Sequence, residues 1–185
     1  MAEKKFYVES ARVIHEGAMV TTEELSVRTP DGDLVTRQAI RHPGAVAVVA
    51  VHDGHVILVE QYRAALDENL IEIPAGKTDV SGEPLELAAR RELIEEVGLD
   101  PETLVLLGDF VTAAGFSDEV ITIFATNTCR DVGRQVDGVE EEHSEILRVP
   151  LSEIDDWMKG GRLRDAKSII GLHWAREQGL LAENG

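Results

Sequence analysis

The most informative stretch of this chain is residues 76–99, which read GKTDVSGEPLELAARRELIEEVGL. Pro84 follows polar residues that can cap a helix, and its fixed φ angle suits the first helical turn. Gly98 can adopt the left-handed conformation that ends a helix, and Pro101 prevents continuation. The stretch therefore predicts a loop, then a helix from about Pro84 to Val97, and then a stop.

The predicted helix has an apolar face and an acidic face. At roughly 100° per residue, Glu92, Glu95 and Glu96 fall within one arc, and the apolar residues lie mostly on the other side. Carboxylates three or four residues apart repel each other, so this arc is unfavourable unless a cation lies against it. Arg90 and Arg91 supply part of that charge, and Mg²⁺ suits the arc better because it prefers carboxylate oxygens and phosphate-bearing substrates. In an arbitrary Glu-rich helix, the same arc is more often a solvated face.

The residues around this arc favour a bound metal over a solvated face. Residues 91–99, preceded by Glu83 and Gly76, resemble the signature of the Nudix hydrolases, a family that cleaves nucleoside diphosphates linked to another moiety with Mg²⁺ or Mn²⁺. Every specified position from Glu83 to Leu99 matches in register, and the loop between Gly76 and Glu83 is one residue longer than the commonest form. The resemblance implies an α/β fold, namely a Nudix-type α/β/α sandwich with a mixed β-sheet, and Mg²⁺ as cofactor with Mn²⁺ as the alternative.

Composition limits the class of protein and its partners. A chain of 185 residues with 43% hydrophobic residues is long enough for one globular domain with a real core. The net charge of −17 argues against nucleic acid or anionic lipid as a direct partner. No apolar run reaches the roughly 20 residues of a membrane span, the polar start does not resemble a secretory signal, and the lone Cys129 excludes an internal disulfide. We expect a soluble cytoplasmic protein that binds neither nucleic acid nor membranes.

The rest of the chain predicts strands on both sides of the helix and two helices near the end. Residues 30–33 (PDGD) and 53–54 (DG) are favoured hairpin turns, and the apolar run 45–51 predicts a strand that is buried on both faces. Residues 1–43 form a predicted β-meander with too little apolar surface for its own core, and residues 44–185 form the predicted hydrolase domain. The predicted strands are 12–15, 19–27, 34–40, 44–51, 55–61, 70–76, 104–111, 120–125 and 146–149, and the predicted helices are 152–158, capped by Ser152 with Asp155 near the box position, and 165–178, opened by Asp165.

Four segments outside the helix resemble the bacterial ADP-ribose pyrophosphatases, namely residues 42–46, 61–63, 72–76 and 115–119. With the meander, the resemblance covers nearly the whole chain. It implies hydrolysis of ADP-ribose to AMP and ribose 5-phosphate by a homodimer whose amino-terminal strands are exchanged between subunits. Ala114 stands where that subfamily usually has a proline, so another nucleoside diphosphate sugar or a dinucleoside polyphosphate is an alternative substrate. A nucleotide-binding regulator that does not hydrolyse its ligand is the alternative from another class.

The resemblance also implies a role for each residue of the acidic helix. Glu92 and Glu96 are the main expected metal ligands, with Glu95 and the Ala75 carbonyl as additional ligands. Arg91 is expected to orient the carboxylates. The alternative for Arg91 is an ion pair on the helix surface, which contributes under roughly 1 kcal/mol.

The expected general base and substrate contacts lie on other segments. The base is Glu142 or Glu141, with Glu140 next, and the sequence does not separate them. A guanidinium matches phosphate geometry, and the alternative for an arginine is a structural ion pair, whereas the alternative for a strand glutamate is an exposed edge position. The expected substrate contacts are Arg63 and Arg37 to the phosphates or terminal ribose, Glu72 to adenine or ribose, and Ser117 and Glu119 from a cleft loop.

Overall fold

The computed structural model describes residues 5–135 and 142–181. The chain divides into two compact units. The first consists of Met1–Gly44 with Val111–Val120, and the second consists of Ala45–Phe110 with Ile121–Gly185. The exchange of residues 1–43 between subunits stays a prediction.

The first unit contains a three-stranded antiparallel sheet in the order β1-β2-β3. The predicted turn joins β2 to β3: Gly32 has φ +96°, and the Thr29 N–H donates to the Asp33 carbonyl at 2.9 Å. Among the described residues of these strands, only Leu25 and Ala39 are buried, and every residue of β1 is exposed. The sheet therefore has almost no core of its own, as its composition predicts. Its strands are β1 Tyr7–Glu16, β2 Thr21–Arg28 and β3 Leu34–Arg41.

The second unit is built on a mixed sheet with the order β12-β5-β4-β10-β9, in which β6 also pairs with β5 and β7 with β4. Strands β4 and β10 are parallel, whereas β4 and β5 form an antiparallel hairpin. Asp53 and Gly54 have φ angles of +50° and +72°, which the predicted two-residue turn requires. The strands are β4 Ala45–His52, β5 His55–Arg63, β6 Glu68–Glu72, β7 Ala75–Lys77, β8 Leu99–Pro101, β9 Val105–Val111, β10 Val120–Thr126, β11 Cys129–Asp131 and β12 Glu145–Pro150.

Helices cover both faces of this sheet. Alternate residues of β4 point to opposite sides, so Val48 packs with Leu93 in one core and Val49 packs with Leu172 in the other. The predicted α/β/α sandwich with a mixed sheet is therefore confirmed. None of the three helices that the structure describes has the length and apolarity needed to cross a membrane. They are α1 Leu85–Val97, α2 Ile154–Lys159 and α3 Ala166–Glu177.

The helix ends agree with the sequence at two places and differ at one. Helix α1 ends at Val97 with Gly98 at φ +73°, as predicted. The Asp165 carboxylate caps α3 by accepting from the Ser168 N–H at 2.9 Å. The predicted cap of α2 is wrong: its N-cap is Glu153, without a side-chain hydrogen bond, because Asp155 instead pairs with Arg176 on α3.

The strand predictions missed two features. The single strand predicted over residues 70–76 is two strands, β6 and β7, because Pro74 between them has no N–H for a ladder bond. The Pro74 carbonyl instead accepts from the Val48 N–H at 2.9 Å. The short pair β8 and β11 was not predicted, since three-residue strands carry too little pattern to recognise.

Candidate active site

The acidic flank of α1, formed by Glu92, Glu95 and Glu96, is partly buried. Ala88, Ala89 and Leu93 pack the helix on the sheet, and this contact draws the neighbouring carboxylates inward. Glu92 is 8% exposed and Glu96 is 4% exposed. Glutamates are almost never this buried without partners, so the partners of these side chains define the site.

Arg91 lies among three of the carboxylates. Its Nη1 donates to Glu92 Oε1 at 2.7 Å and to Glu95 Oε2 at 2.9 Å. Its Nε and Nη2 donate to the two oxygens of Glu83 at 3.3 and 3.2 Å. The hydrogen bonds to Glu83, followed by the charges and bonds of Glu92 and Glu95, raise the pKa of Arg91 although burial opposes the shift. The orienting role of this arginine stays a prediction.

The backbone of β7 lies against the same flank. The Ala75 N–H donates to Glu96 Oε2 at 2.9 Å. A Cβ atom built on Gly76 would overlap the carboxyl group of Glu92. A larger residue at position 76 would therefore require the Glu92 carboxyl group to move, which gives a physical reason for the glycine at the first position of the sequence motif.

The donors at this flank suit a hard divalent cation. Glu92 and Glu96 offer carboxylate oxygens beside backbone that carries no side chain at Gly76, and such oxygens are what Mg²⁺ and Mn²⁺ prefer. Within residues 5–135 and 142–181, no three acidic, histidine or cysteine side chains already converge as a metal-binding group. Arg91 forms ion pairs with Glu92 and Glu95 in this arrangement. The ligand set of Ala75, Glu92, Glu95 and Glu96 stays a prediction.

Arg63 and Glu72 are joined to each other on neighbouring strands. Arg63 Nε donates to Glu72 Oε1 at 3.0 Å, and Arg63 Nη2 donates to Oε2. Glu72 is 2% exposed, so it is not a surface residue of an edge strand. The hydrogen bond to Glu72 raises the pKa of Arg63, and the charge of Glu96 adds to the shift while burial opposes it. Arg63 is thus electrostatically coupled to the acidic flank of α1.

Lys167 completes this ion pair and was missed by the sequence analysis. Its Nζ donates to Glu72 Oε2 at 2.8 Å. Burial raises the pKa of Glu72, but the hydrogen bond from Arg63 and the charge of Lys167 together lower it below its ordinary value. No local pattern marks Lys167, because it is 95 residues from Glu72 along the chain.

The other predicted substrate contacts lie in the first unit. Arg37 is exposed, and its Nη1 donates to the Thr36 carbonyl at 2.8 Å. The Ser117 Oγ accepts from the Glu119 N–H at 3.2 Å, and Glu119 Oε2 accepts from the Thr112 hydroxyl at 2.5 Å. Their contact with substrate stays a prediction.

Asp118 joins the loop of residues 111–120 to the end of β3, a link that the sequence analysis missed. Asp118 accepts from the His42 N–H at 2.9 Å and from Arg41 Nη1 at 3.1 Å. The bond from His42, followed by Arg41, lowers the pKa of Asp118, while burial opposes the shift. The Ile40 N–H donates to the Phe116 carbonyl at 2.7 Å in the same place. The loop that carries Ser117 is therefore fastened at several atoms.

The structure does not separate the candidates for the general base. Glu142 is described and exposed. Glu141 and Glu140 lie outside the described residues. The assignment stays as the sequence left it.

The family model described as NUDIX domain matches residues 40–170. The chain belongs to the Nudix family. The ADP-ribose pyrophosphatase of Mycobacterium tuberculosis strain H37Rv is 40% identical over 173 residues, which cover 93% of this chain and 84% of the relative. The ADP-ribose pyrophosphatase of Bacillus subtilis strain 168 is 33% identical and covers 87% of each chain. These relatives agree with the subfamily resemblance of the flanking segments.

Two further comparisons extend this picture. A methanol dehydrogenase activator of Bacillus methanolicus is 34% identical over 169 residues, which cover 91% of each chain. A crystal structure described as an ADP compounds hydrolase superposes with a TM-score of 0.80 at 24% identity and covers 96% of each chain. The structural match supports the Nudix fold of this chain and carries no argument about substrate.

Proposed function

We propose that this Nudix protein hydrolyses the pyrophosphate bond of ADP-ribose, giving AMP and ribose 5-phosphate, with the help of a divalent metal ion. The observation that carries the proposal is the buried pair of Glu92 and Glu96, gathered by Arg91 and by the backbone of β7. Two relatives named ADP-ribose pyrophosphatase, at 40% and 33% identity over most of the chain, support the substrate.

The acidic flank of α1 is the proposed metal site. Glu92, Glu96, Glu95 and the Ala75 carbonyl would hold Mg²⁺, or Mn²⁺ in its place, which when bound supplies charge neutralisation of the phosphoryl oxygens and a more nucleophilic water. Arg91 keeps Glu92 and Glu95 in fixed orientations through one nitrogen atom. The absence of a side chain at position 76 leaves the Glu92 carboxyl group its place beside β7.

The remaining proposed roles concern substrate binding and proton transfer. Glu142 or Glu141 accepts a proton from the attacking water, because a general base makes water a better nucleophile. A half-exposed guanidinium fits phosphate or ribose oxygens, and Arg63, 40% exposed, offers one beside Glu72. The proposed substrate contacts are Arg63 and Arg37 to the phosphates or terminal ribose, Glu72 to adenine or ribose, and Ser117 and Glu119 on the loop of residues 111–120.

We also propose that the protein is a homodimer in which the strands of residues 1–43 are exchanged. Its first strand supports this, because Tyr7, Val8 and Val13 are each more than half exposed and Ile14 is 45% exposed. Large apolar side chains are more often buried, and a partner surface would cover these. A partner subunit would give the meander the core that it lacks.

One alternative keeps the chemistry and changes the substrate. Ala114 replaces the proline that is usual in the subfamily, which favours testing other nucleoside diphosphate sugars and dinucleoside polyphosphates. A panel of ADP-ribose, UDP- and GDP-sugars, NADH and diadenosine polyphosphates with Mg²⁺, read by phosphate release after phosphatase treatment, separates these substrates. Fastest turnover of ADP-ribose supports the proposal, and fastest turnover of another compound replaces the substrate.

A second alternative is a nucleotide-binding regulator. The relative named methanol dehydrogenase activator is the observation that favours it. Tight binding of ADP-ribose in calorimetry without metal-dependent turnover of any compound in the panel would support the regulator and contradict the hydrolase.

The assigned metal flank is tested by Glu96→Gln, with Glu86→Gln as the matched control. Glu86 is an exposed residue in the first turn of the same helix. We expect Glu96→Gln to lower kcat by about 100-fold or more, because a ligand charge is lost, and Glu86→Gln to leave kcat unchanged. Circular dichroism checks that both variants are folded. Near-normal turnover of a folded Glu96→Gln protein would contradict the assignment.

A further inference from the structure

The first turn of α3 holds two consecutive residues at the end of β6. Lys167 Nζ donates to the Glu72 carboxylate at 2.8 Å, and the next residue, Ser168, accepts from the Ile73 N–H at 2.8 Å. Ser168 is fully buried, and its hydroxyl donates to Asp165 at 2.5 Å. This turn therefore bonds to the side chain of Glu72 and to the backbone of Ile73.

The charges in this cluster balance, and Glu72 lies at its centre. Two carboxylates, Glu72 and Asp165, face two cations, Arg63 and Lys167, and Lys167 Nζ also donates to Asp165 at 3.1 Å. A carboxylate that is 2% exposed needs nearly full compensation, because the interior solvates charge poorly. Lys167 supplies a share that Arg63 would otherwise have to supply alone.

Lys167 and Arg63 share the compensation of Glu72, and Arg63 remains partly exposed to solvent. The side chain of Lys167 is 11% exposed, whereas that of Arg63 is 40% exposed. Both cations donate to the same oxygen, Oε2 of Glu72. Without the ammonium of Lys167, the uncompensated carboxylate would attract the guanidinium of Arg63 more strongly and turn it away from the solvent side.

We propose that Lys167 is a positioning residue for substrate binding, which sets the orientation of the Arg63 guanidinium through Glu72. This inference rests on the proposed function, in which Arg63 contacts the substrate. The proposed role of Lys167 is to position Arg63 and not to bind the substrate directly. Replacement of Lys167 should weaken substrate binding, whereas the acidic flank of α1 is unchanged.

The test compares Lys167→Met, which keeps the length and removes the charge, with Lys167→Arg, which keeps the charge. Arg176→Met is the matched control, because Arg176 lies on the same helix and forms an exposed ion pair with Asp155. We expect Lys167→Met to raise KM by about tenfold or more with kcat within about threefold, since it removes a charged hydrogen bond. Lys167→Arg should recover most of the loss, and Arg176→Met should change neither constant more than about twofold.

A double-mutant cycle with Glu72→Gln shows whether Lys167 acts through Glu72. In the Glu72→Gln background, Lys167→Met should add less than about threefold to KM, because the carboxylate it serves is absent. A full additional rise in KM in that background would overturn the inference, as would a folded Lys167→Met protein with wild-type KM. Thermal unfolding monitors the fold, and Lys167→Gln, which retains a donor to Glu72, replaces Lys167→Met if that variant does not fold.

The inference and the proposed function fail separately. The constants are measured with the compound of the panel that the wild-type protein hydrolyses fastest, so failure of ADP-ribose as substrate leaves the comparison intact. If the wild-type protein hydrolyses none of them, the dissociation constant of ADP-ribose from calorimetry takes the place of KM. An unchanged dissociation constant for Lys167→Met would then overturn the inference.

Discussion

At the scale of single residues, the candidate site depends on a glycine, Gly76, as much as on the charged side chains. Gly76 lies where any Cβ atom would overlap the Glu92 carboxyl group. Arg91 also donates to Glu92 and Glu95, with bonds of 2.7 and 2.9 Å. The planar guanidinium of Arg91 also reaches Glu83 through Nε and Nη2, so one side chain contacts three carboxylates, which suits its five fixed donors.

The steric role of Gly76 predicts the effect of Gly76→Ala. The added methyl group should displace Glu92, so we expect the affinity for Mn²⁺ to fall about tenfold or more, measured by the electron paramagnetic resonance signal of free Mn²⁺. Gly115→Ala is a control for the unfolding temperature, because a Cβ atom at this position would meet no heavy atom within 4 Å beyond its chain neighbours. Unchanged Mn²⁺ affinity in a folded Gly76→Ala protein would contradict this account of the flank.

At the scale of elements, strands β6 and β7 connect the two charged regions of the second unit. Glu72 at the end of β6 is held by Arg63 and by Lys167 from α3. Three residues later, Ala75 opens β7 and bonds to Glu96 of α1. One short segment is thus held between a helix on each face of the sheet, so its two ends are positioned together.

The buried Glu72 predicts a dependence of stability on pH. Its folded-state pKa is lowered, so its contribution is complete above the unfolded value of about 4.3 and is lost as pH falls through the lower folded value. The charged groups facing it are Arg63, Lys167 and, through Lys167, Asp165. We expect Glu72→Gln to reduce the free energy of unfolding by about 2 kcal/mol at pH 7.

The pH series itself provides the check. The difference in unfolding free energy between the wild-type protein and Glu72→Gln should be constant from about pH 6 to 8 and should shrink below about pH 4. Urea unfolding at each pH measures it, and groups common to both proteins cancel. A difference that stays constant to pH 3 would show that Glu72 is not held in its charged form by these partners.

At the scale of the whole molecule, the exposed first strand is the feature that most needs a partner. Every residue of β1 is exposed, including several large apolar ones, while the sheet of the second unit has a core on each face. Isolated small sheets without a buried face are marginal in water. A second copy of the chain, with the strands exchanged, is the proposed remedy.

This proposal predicts that Val13→Glu weakens the dimer. Val13 is 52% exposed, and a charge there would have to be buried in the interface. Light scattering after size exclusion should give the mass of a dimer for the wild-type protein and a shift toward monomer for the variant. Leu106→Glu, at a position 55% exposed in β9, is the control and should remain dimeric. A wild-type protein that is monomeric at micromolar concentration would contradict the exchange.

The elements show which sequence signals are strong enough to use. Helix α1 and the Asp53-Gly54 turn were predicted because their signals are local: a proline, a glycine and a fixed period of apolar residues. The cap of α2 was predicted wrongly, since Asp155 bonds to Arg176 of another helix rather than to its own. A prediction from a local motif fails when a tertiary contact gives the side chain another partner.

The fold class and the Nudix family were predicted from the signature of residues 76–99, and the acidic face of α1 from residue spacing, which fixes the side chains that share a helix face. Three features are visible only in the folded chain: Glu72 is buried, Lys167 pairs with it from 95 residues away, and Gly76 meets Glu92. Helix periodicity acts over a few residues, whereas the packing of distant elements decides which groups compensate a buried charge. The proposed metal ligands lie mostly in residues 76–99, whereas the groups around Glu72 come from distant parts of the chain.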